Sequence, residues 1–219
     1  MSTPTTHFTD AERETVYRVI SERRDMRHFR PDPVNKTVLK RLLSAAHQAP
    51  SVGLMQPWRI IRITAGSVRL QIKGLVEQER LATAKALAER ENEFMKLKVE
   101  GITECGELLV VSLCDQREND IFGRRTLPEM DLASVSCAIQ NMWLAARAEG
   151  LGMGWVSMFD PDRLGELLSI PHDAKPVAIL CLGHVDDFYS APMLEIQNWR
   201  QGIELNQVLF ENCWGQKAE

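Results

Sequence analysis

No apolar run in the 219-residue sequence reaches the roughly 18 residues that a membrane-spanning helix needs. The five cysteines, Cys105, Cys114, Cys137, Cys181 and Cys213, include no Cys-x-x-Cys pair and are odd in number. That excludes a disulfide framework and favours a reducing compartment, so a cytoplasmic location is expected. A basic excess is also missing: 26 Lys and Arg stand against 30 Asp and Glu, a net charge of −4. A nucleic-acid surface would want the opposite balance or a basic face. The opening residues MSTPTTHFTDAERE place no apolar stretch behind a basic one, so no secretory leader is expected. GxxxxGK, HExxH, GxSxG and metal-spaced Cys/His clusters are all absent, which lowers phosphate-loop, hydrolase and metal readings together.

What is there is a globular pattern. Hydrophobic residues make up 44% and charged residues 26%, enough apolar material for a sizeable core. At roughly 150 residues per domain, the length suits one generous domain over residues 1–219. Thr9 with Glu12 forms a capping box before a helical stripe of Val16, Val19 and Ile20 that ends near Arg23 or Arg24. Asn35 caps a second helix carrying Leu39, Leu42, Leu43 and Ala46, which stops by Pro50. Residues 58–63 read as a strand, residues 67–99 as charged helix, and residues 107–114 as a strand buried on both faces. Residues 116–129 read as a polar loop. Asp131 is expected to cap a core helix with Leu132, Val135, Ile139, Met142, Trp143 and Ala146 on one face and Gly150 as its stop. A strand over 154–159, a short helix opened by Asp160-Pro161 and a buried strand over 177–182 follow. The tail from 189, with Trp199, Phe210 and Trp214, shows no compact pattern and is expected to lie across another surface.

Few residues stand out chemically. Arg23-Arg24-Asp25-Met26-Arg27 gathers three guanidiniums at a helix end, where they either hold a phosphate in forked geometry or offset the helix dipole. Asp25 either pairs with these arginines or acts on a ligand. Ser51 and Gln56 lie in an uncharged loop before a strand and serve either a ligand or the turn itself. Ser157 ends a strand after alternating glycines that let backbone approach a flat ligand. Gly150-Leu151-Gly152-Met153-Gly154 follows a helix and leads into a strand, the reverse of a dinucleotide fingerprint, so a Rossmann site is rejected.

Three blocks, taken together, carry a resemblance over nearly the whole chain. They are Arg23-Arg24-Asp25-Met26-Arg27 with Phe29 and Pro31; Ala49-Pro50-Ser51-Val52-Gly53-Leu54-Met55-Gln56-Pro57-Trp58; and Gln140-Asn141 through Gly154-Trp155-Val156-Ser157. With Asn198-Trp199-Arg200-Gln201 in the tail, the sequence resembles the flavin-dependent nitroreductase family, and within it the synthases of 5,6-dimethylbenzimidazole. Val52 and Leu54 replace the second Ser and the Asn of the general Ser-Ser-x-Asn-x-Gln-Pro-Trp loop, an apolar version seen in that subfamily. Asp25 stands where many nitroreductases carry Ser.

The resemblance implies an α+β nitroreductase-like fold, with a mixed central sheet flanked by helices, in an interlocked homodimer. It implies FMN at the dimer interface, with Arg23 and Arg200 on the phosphate, Arg24, Met26 and Arg27 near the ribityl chain and ring, and Ser51 and Gln56 bordering the flavin. Ser157 would face the N5 edge and Asp25 would handle protons. Residues at about 77–100 would form a lid and residues 189–219 a C-terminal extension. The implied reaction consumes reduced FMN and O2, without a metal, to give 5,6-dimethylbenzimidazole, the lower ligand of vitamin B12, and erythrose 4-phosphate. A separate flavin reductase would supply the reduced FMN. An FMN-dependent NAD(P)H nitroreductase or flavin reductase, and a non-catalytic flavin-binding protein, are the alternatives.

Overall fold

Local signals set the first elements of the computed structural model, which describes residues 7–217. Helix α1 (Asp10–Glu22) begins at the expected capping box, with the Glu12 amide donating to Thr9 Oγ1 at 3.3 Å and the Thr9 amide to Glu12 Oε2 at 2.8 Å. None of its residues is buried. In α2 (Lys36–His47), Asn35 Oδ1 accepts from the Thr37 amide at 2.8 Å, and Leu39, Leu42 and Ala46 face the core. Strand β1 (Trp58–Ile63), the long α3 (Gly66–Ala86) and a short α4 (Glu91–Phe94) follow.

Every residue of β2 (Glu107–Leu113) is buried, because the sheet is covered on both faces. Leu109, Val111 and Leu113 pack with α2 and with α5 (Met130–Ala148), whereas Leu108 and Val110 pack with Ile72 and Val76 of α3. This alternation follows from the two-residue period of a strand. Strands β3 (Gly152–Val156) and β4 (Lys175–Gly183), with α6 (Pro161–Leu167) between them, complete a sheet of order β1-β2-β4-β3. Asp160 caps α6 as its sequence suggested.

Three expectations need correction. The four strands pair antiparallel throughout, and among the described residues parallel pairing enters only through an isolated bridge between Asp25 and Met153. Asp131 is not a cap: Glu129 holds that position, and the Asp131 carboxylate is drawn inward by Arg117 and Arg124, while Leu132 points outward. The strand expected over 154–159 starts earlier, at Gly152, since Gly150 turns the chain with φ +74° and Gly152 can then pack against Met26. Ser157 therefore lies just past the strand end.

The chain divides into two compact units, one ending at Phe188 and one beginning at Tyr189. The second contains a short α7 (Met193–Ile196) and a tilted Phe210–Trp214 ring pair 5.2 Å apart. Among the described residues no helix is long and apolar enough to cross a membrane.

Candidate active site

The Asp25–Arg27 segment is seated on β3 by backbone complementarity. Met26 donates its amide to the Met153 carbonyl at 3.0 Å, and its side chain, 1% exposed, is buried in the core. Gly154 permits this approach, because a Cβ there would stand 2.2 Å from the Met26 carbonyl oxygen and 2.6 Å from Arg27 Nη1. With Met26 turned inward, Asp25 and Arg27 both reach the Trp155 peptide. Asp25 Oδ1 accepts from the Trp155 amide at 3.0 Å, and Arg27 Nη2 donates to the Trp155 carbonyl at 2.8 Å and to Asp25 Oδ2 at 2.7 Å.

Asp25 of this clamp lines a cavity of about 570 Å³, together with Trp143, Trp155, Ser157, Phe159 and Lys175. Its size and the three aromatic rings of its lining, Trp143, Trp155 and Phe159, suit a flat ligand. The Asp25 carboxyl is pushed above its usual range by burial, which outweighs the opposing pull of Arg27, the Trp155 amide and Arg23. Its side chain keeps 41% of its surface open, so the group is both perturbed and reachable. A carboxyl of this kind can hold or accept a proton at the cavity wall.

The neighbouring arginines divide their tasks. Arg23 lies over the Trp143 ring at 4.7 Å, and Trp143 Nε1 donates to the Arg24 carbonyl at 3.2 Å. Arg24 Nη1 turns back to the carbonyls of Ser21 and Arg23, at 2.7 and 2.8 Å.

Asp25 and Ser157 are thus brought to one cavity from positions far apart in sequence. Ser51 and Gln56 do not line it; Ser51 Oγ accepts from the Gln56 amide at 3.0 Å, within their own loop. None of residues 77–100 lines it either, and Ala84, Phe94 and Leu97 of that segment are buried. Arg200 belongs to the second unit, where its amide donates to the Leu194 carbonyl at 3.3 Å. Lys175 and Ser136 were missed, because neither carries a motif and only the packing of β4 and α5 places them at the cavity. Among the described residues no group of three or more His, Cys, Asp or Glu is arranged to hold a metal.

Arg23 over Trp143 and a cavity lined in part by Trp143, Trp155 and Phe159 fit a flavin nucleotide, the guanidinium suiting a phosphate-bearing arm and the ring faces a tricycle. A four-stranded antiparallel sheet between helical layers, with an acid and a serine at one cavity, defines an α+β scaffold with a candidate ligand site. The chain belongs to the nitroreductase family, whose model matches residues 20–184. It is 40% identical over 181 residues to the 5,6-dimethylbenzimidazole synthase of Rhodospirillum rubrum, covering 81% of this chain and 85% of that one. It is 36% identical over 199 residues to the protein of the same name from Rhodobacter capsulatus, covering 90% and 96%. Among solved structures, iodotyrosine deiodinase bound to FMN and 3-iodo-L-tyrosine superposes with TM-score 0.67 at 22% identity, covering 87% and 97%.

Proposed function

We propose that this chain is a 5,6-dimethylbenzimidazole synthase that fragments reduced FMN with O2, releasing erythrose 4-phosphate. The observation that carries the reading is Asp25: an acid with a raised pKa, fixed by the Trp155 amide and Arg27 at the wall of a cavity that Trp143, Trp155 and Phe159 also line. The identity to synthases over most of the chain supports it. Reduced FMN supplies the electrons for oxygen chemistry when bound.

The chain's own residues bind, orient and move protons. Arg23 supplies positive charge beside Trp143, suited to the phosphate arm, and Arg200 is proposed as a further phosphate contact. Arg24 lies beside the ribityl arm in this reading. Arg27 acts through Asp25, holding the carboxylate against Trp155, and Met26 seats both. Asp25 exchanges a proton with the ribityl chain at C1′, and Ser157 orients the N5 edge. Arg200→Ala is expected to weaken FMN binding about tenfold by removing a charge-assisted hydrogen bond. Unchanged affinity in a flavin titration would remove Arg200 from the site.

The site is completed by a second copy. Val16, Tyr17 and Ile20 leave an apolar stripe open on α1, and Leu54 and Phe122 are 80% and 82% exposed beside the 51–56 loop. Such patches mark interfaces, and a partner would bring Ser51 and Gln56 to the flavin. Because the substrate is consumed, a flavin reductase must renew it, in the reducing setting of the cytoplasm.

Incubation of the purified protein with excess reduced FMN in air, followed by chromatography, should yield 5,6-dimethylbenzimidazole. Flavin reoxidation without benzimidazole would reject the synthase. Turnover of a nitroaromatic with NAD(P)H and retained FMN would favour the nitroreductase instead.

A further inference from the structure

Outside the cavity, the densest buried charge lies where the loop after β2 enters α5. Arg124 and Asp131 each keep only 4% of their side chains exposed. The Arg124 guanidinium donates to the carbonyls of Arg117, Asp120 (2.9 Å) and Pro128 (3.3 Å), and to Asp131 Oδ2 at 3.1 Å. The same carboxylate oxygen accepts from Arg117 Nη1 at 2.8 Å. Burying such a set costs desolvation that apolar side chains of equal volume would avoid. An apolar plug, however, could not tie three carbonyls of one loop to a single point.

The loop so tied backs directly onto residues 51–56. Gly123, at φ +77°, faces Val52 so closely that a Cβ would stand 2.6 Å from Val52 Cγ2. Gly53, at φ +53°, approaches from the other side, where a Cβ would meet the Phe122 carbonyl oxygen at 3.1 Å. The Val52 amide donates to Ser134 Oγ at 3.0 Å, and that hydroxyl donates to the Met130 carbonyl at 2.6 Å. Phe122 and Gly123 lie between the two arginines in sequence, and Ser134 lies in the first turns of α5, three residues after Asp131. The contacts that reach the 51–56 loop through Phe122, Gly123 and Ser134 therefore trace back to the segment held by the buried ionic cluster, alongside the loop's own bonds such as that from the Gln56 amide to Ser51 Oγ.

We propose that Arg124 and Asp131 are positioning residues that set the conformation of the 51–56 loop and, through it, the grip on flavin. The inference rests on the reading of Ser51 and Gln56 as flavin contacts. It is tested by titrating FMN, followed by its fluorescence, against the full chain carrying Asp131→Asn, Ser134→Ala, or both. Ser134→Ala cuts the link to Val52 without touching a buried charge, and it decides the question alone if Asp131→Asn does not fold. Each single variant should weaken FMN binding about tenfold, with Ser134→Ala melting close to wild type. The double variant should bind no more weakly than the worse single one, because both changes act along one path. FMN affinity unchanged in Ser134→Ala, or losses that add in the double variant, would overturn the positioning role while leaving the flavin reading intact. A wild-type chain that takes up no FMN would overturn both.

Discussion

Asp25 is held by two different interactions that respond differently to substitution. The Trp155 amide needs only an acceptor at Oδ1, which an asparagine keeps, whereas proton transfer and the ion pair with Arg27 need the acid. Asp25→Asn should therefore retain FMN within a few-fold of wild type and lower product formation by about 10²-fold or more, the usual scale of a lost general acid or base. Loss of FMN binding in a titration would instead make Asp25 a structural residue. The same carboxyl gives a pH signature. Its native pKa is raised above the unfolded value, so the folded chain holds the proton to higher pH. It therefore contributes stability at low pH that is lost as pH rises through the raised value. As pH rises above the unfolded carboxyl's value of about 4, wild type should lose melting temperature relative to Asp25→Asn. A relative gain for wild type would show that the arginines, not burial, dominate at this carboxyl.

At the scale of elements, β3 is the frame on which the acid is mounted, and its glycines are what make the mounting possible. Gly154→Ala would push a Cβ to 2.2 Å from the Met26 carbonyl oxygen, so the Asp25–Arg27 segment must move or the strand must bend. Chemical denaturation should register a loss of about 1 to 3 kcal/mol, as for overpacked cores. FMN affinity should fall together with stability; a variant with wild-type stability and affinity would show that the close approach is dispensable. Most elements were legible in the sequence, because capping residues and hydrophobic periods are local signals: Thr9 and Glu12 for α1, Asn35 for α2, the apolar run for β2. The errors arose where tertiary partners override a local cue. Asp131 reads as a cap because its captors, Arg117 and Arg124, sit in a loop without periodicity. The resemblance placed Asp25 and Ser157 at one flavin, but the bond from the Trp155 amide to Asp25, a pairing across 130 residues, was given by neither the resemblance nor the spacing. Lys175 carried no signal, since its place at the cavity depends on where β4 begins.

For the whole molecule, the question is which copy of the chain supplies each part of the site. Asp25 and Ser157 line the cavity of one chain, while Ser51 and Gln56 of that chain stay outside it beside the exposed Leu54 and Phe122. If a second copy inserts its 51–56 loop, each site draws its acid from one subunit and its loop from the other, as a two-fold dimer allows. Two inactive variants should then rescue one another. Asp25→Asn spoils the acid, and Ser51→Ala combined with Gln56→Ala spoils the loop. A heterodimer of the two holds one site with both defects and one with neither. After the variants are mixed, unfolded and refolded together in equal amounts, random pairing should restore about a quarter of wild-type product formation. A refolded mixture as inactive as its components, with wild type recovering activity under the same treatment, would place acid and loop in the same chain. The loop would then have to reach the flavin within its own subunit, and the apolar residues beside it would need another cover.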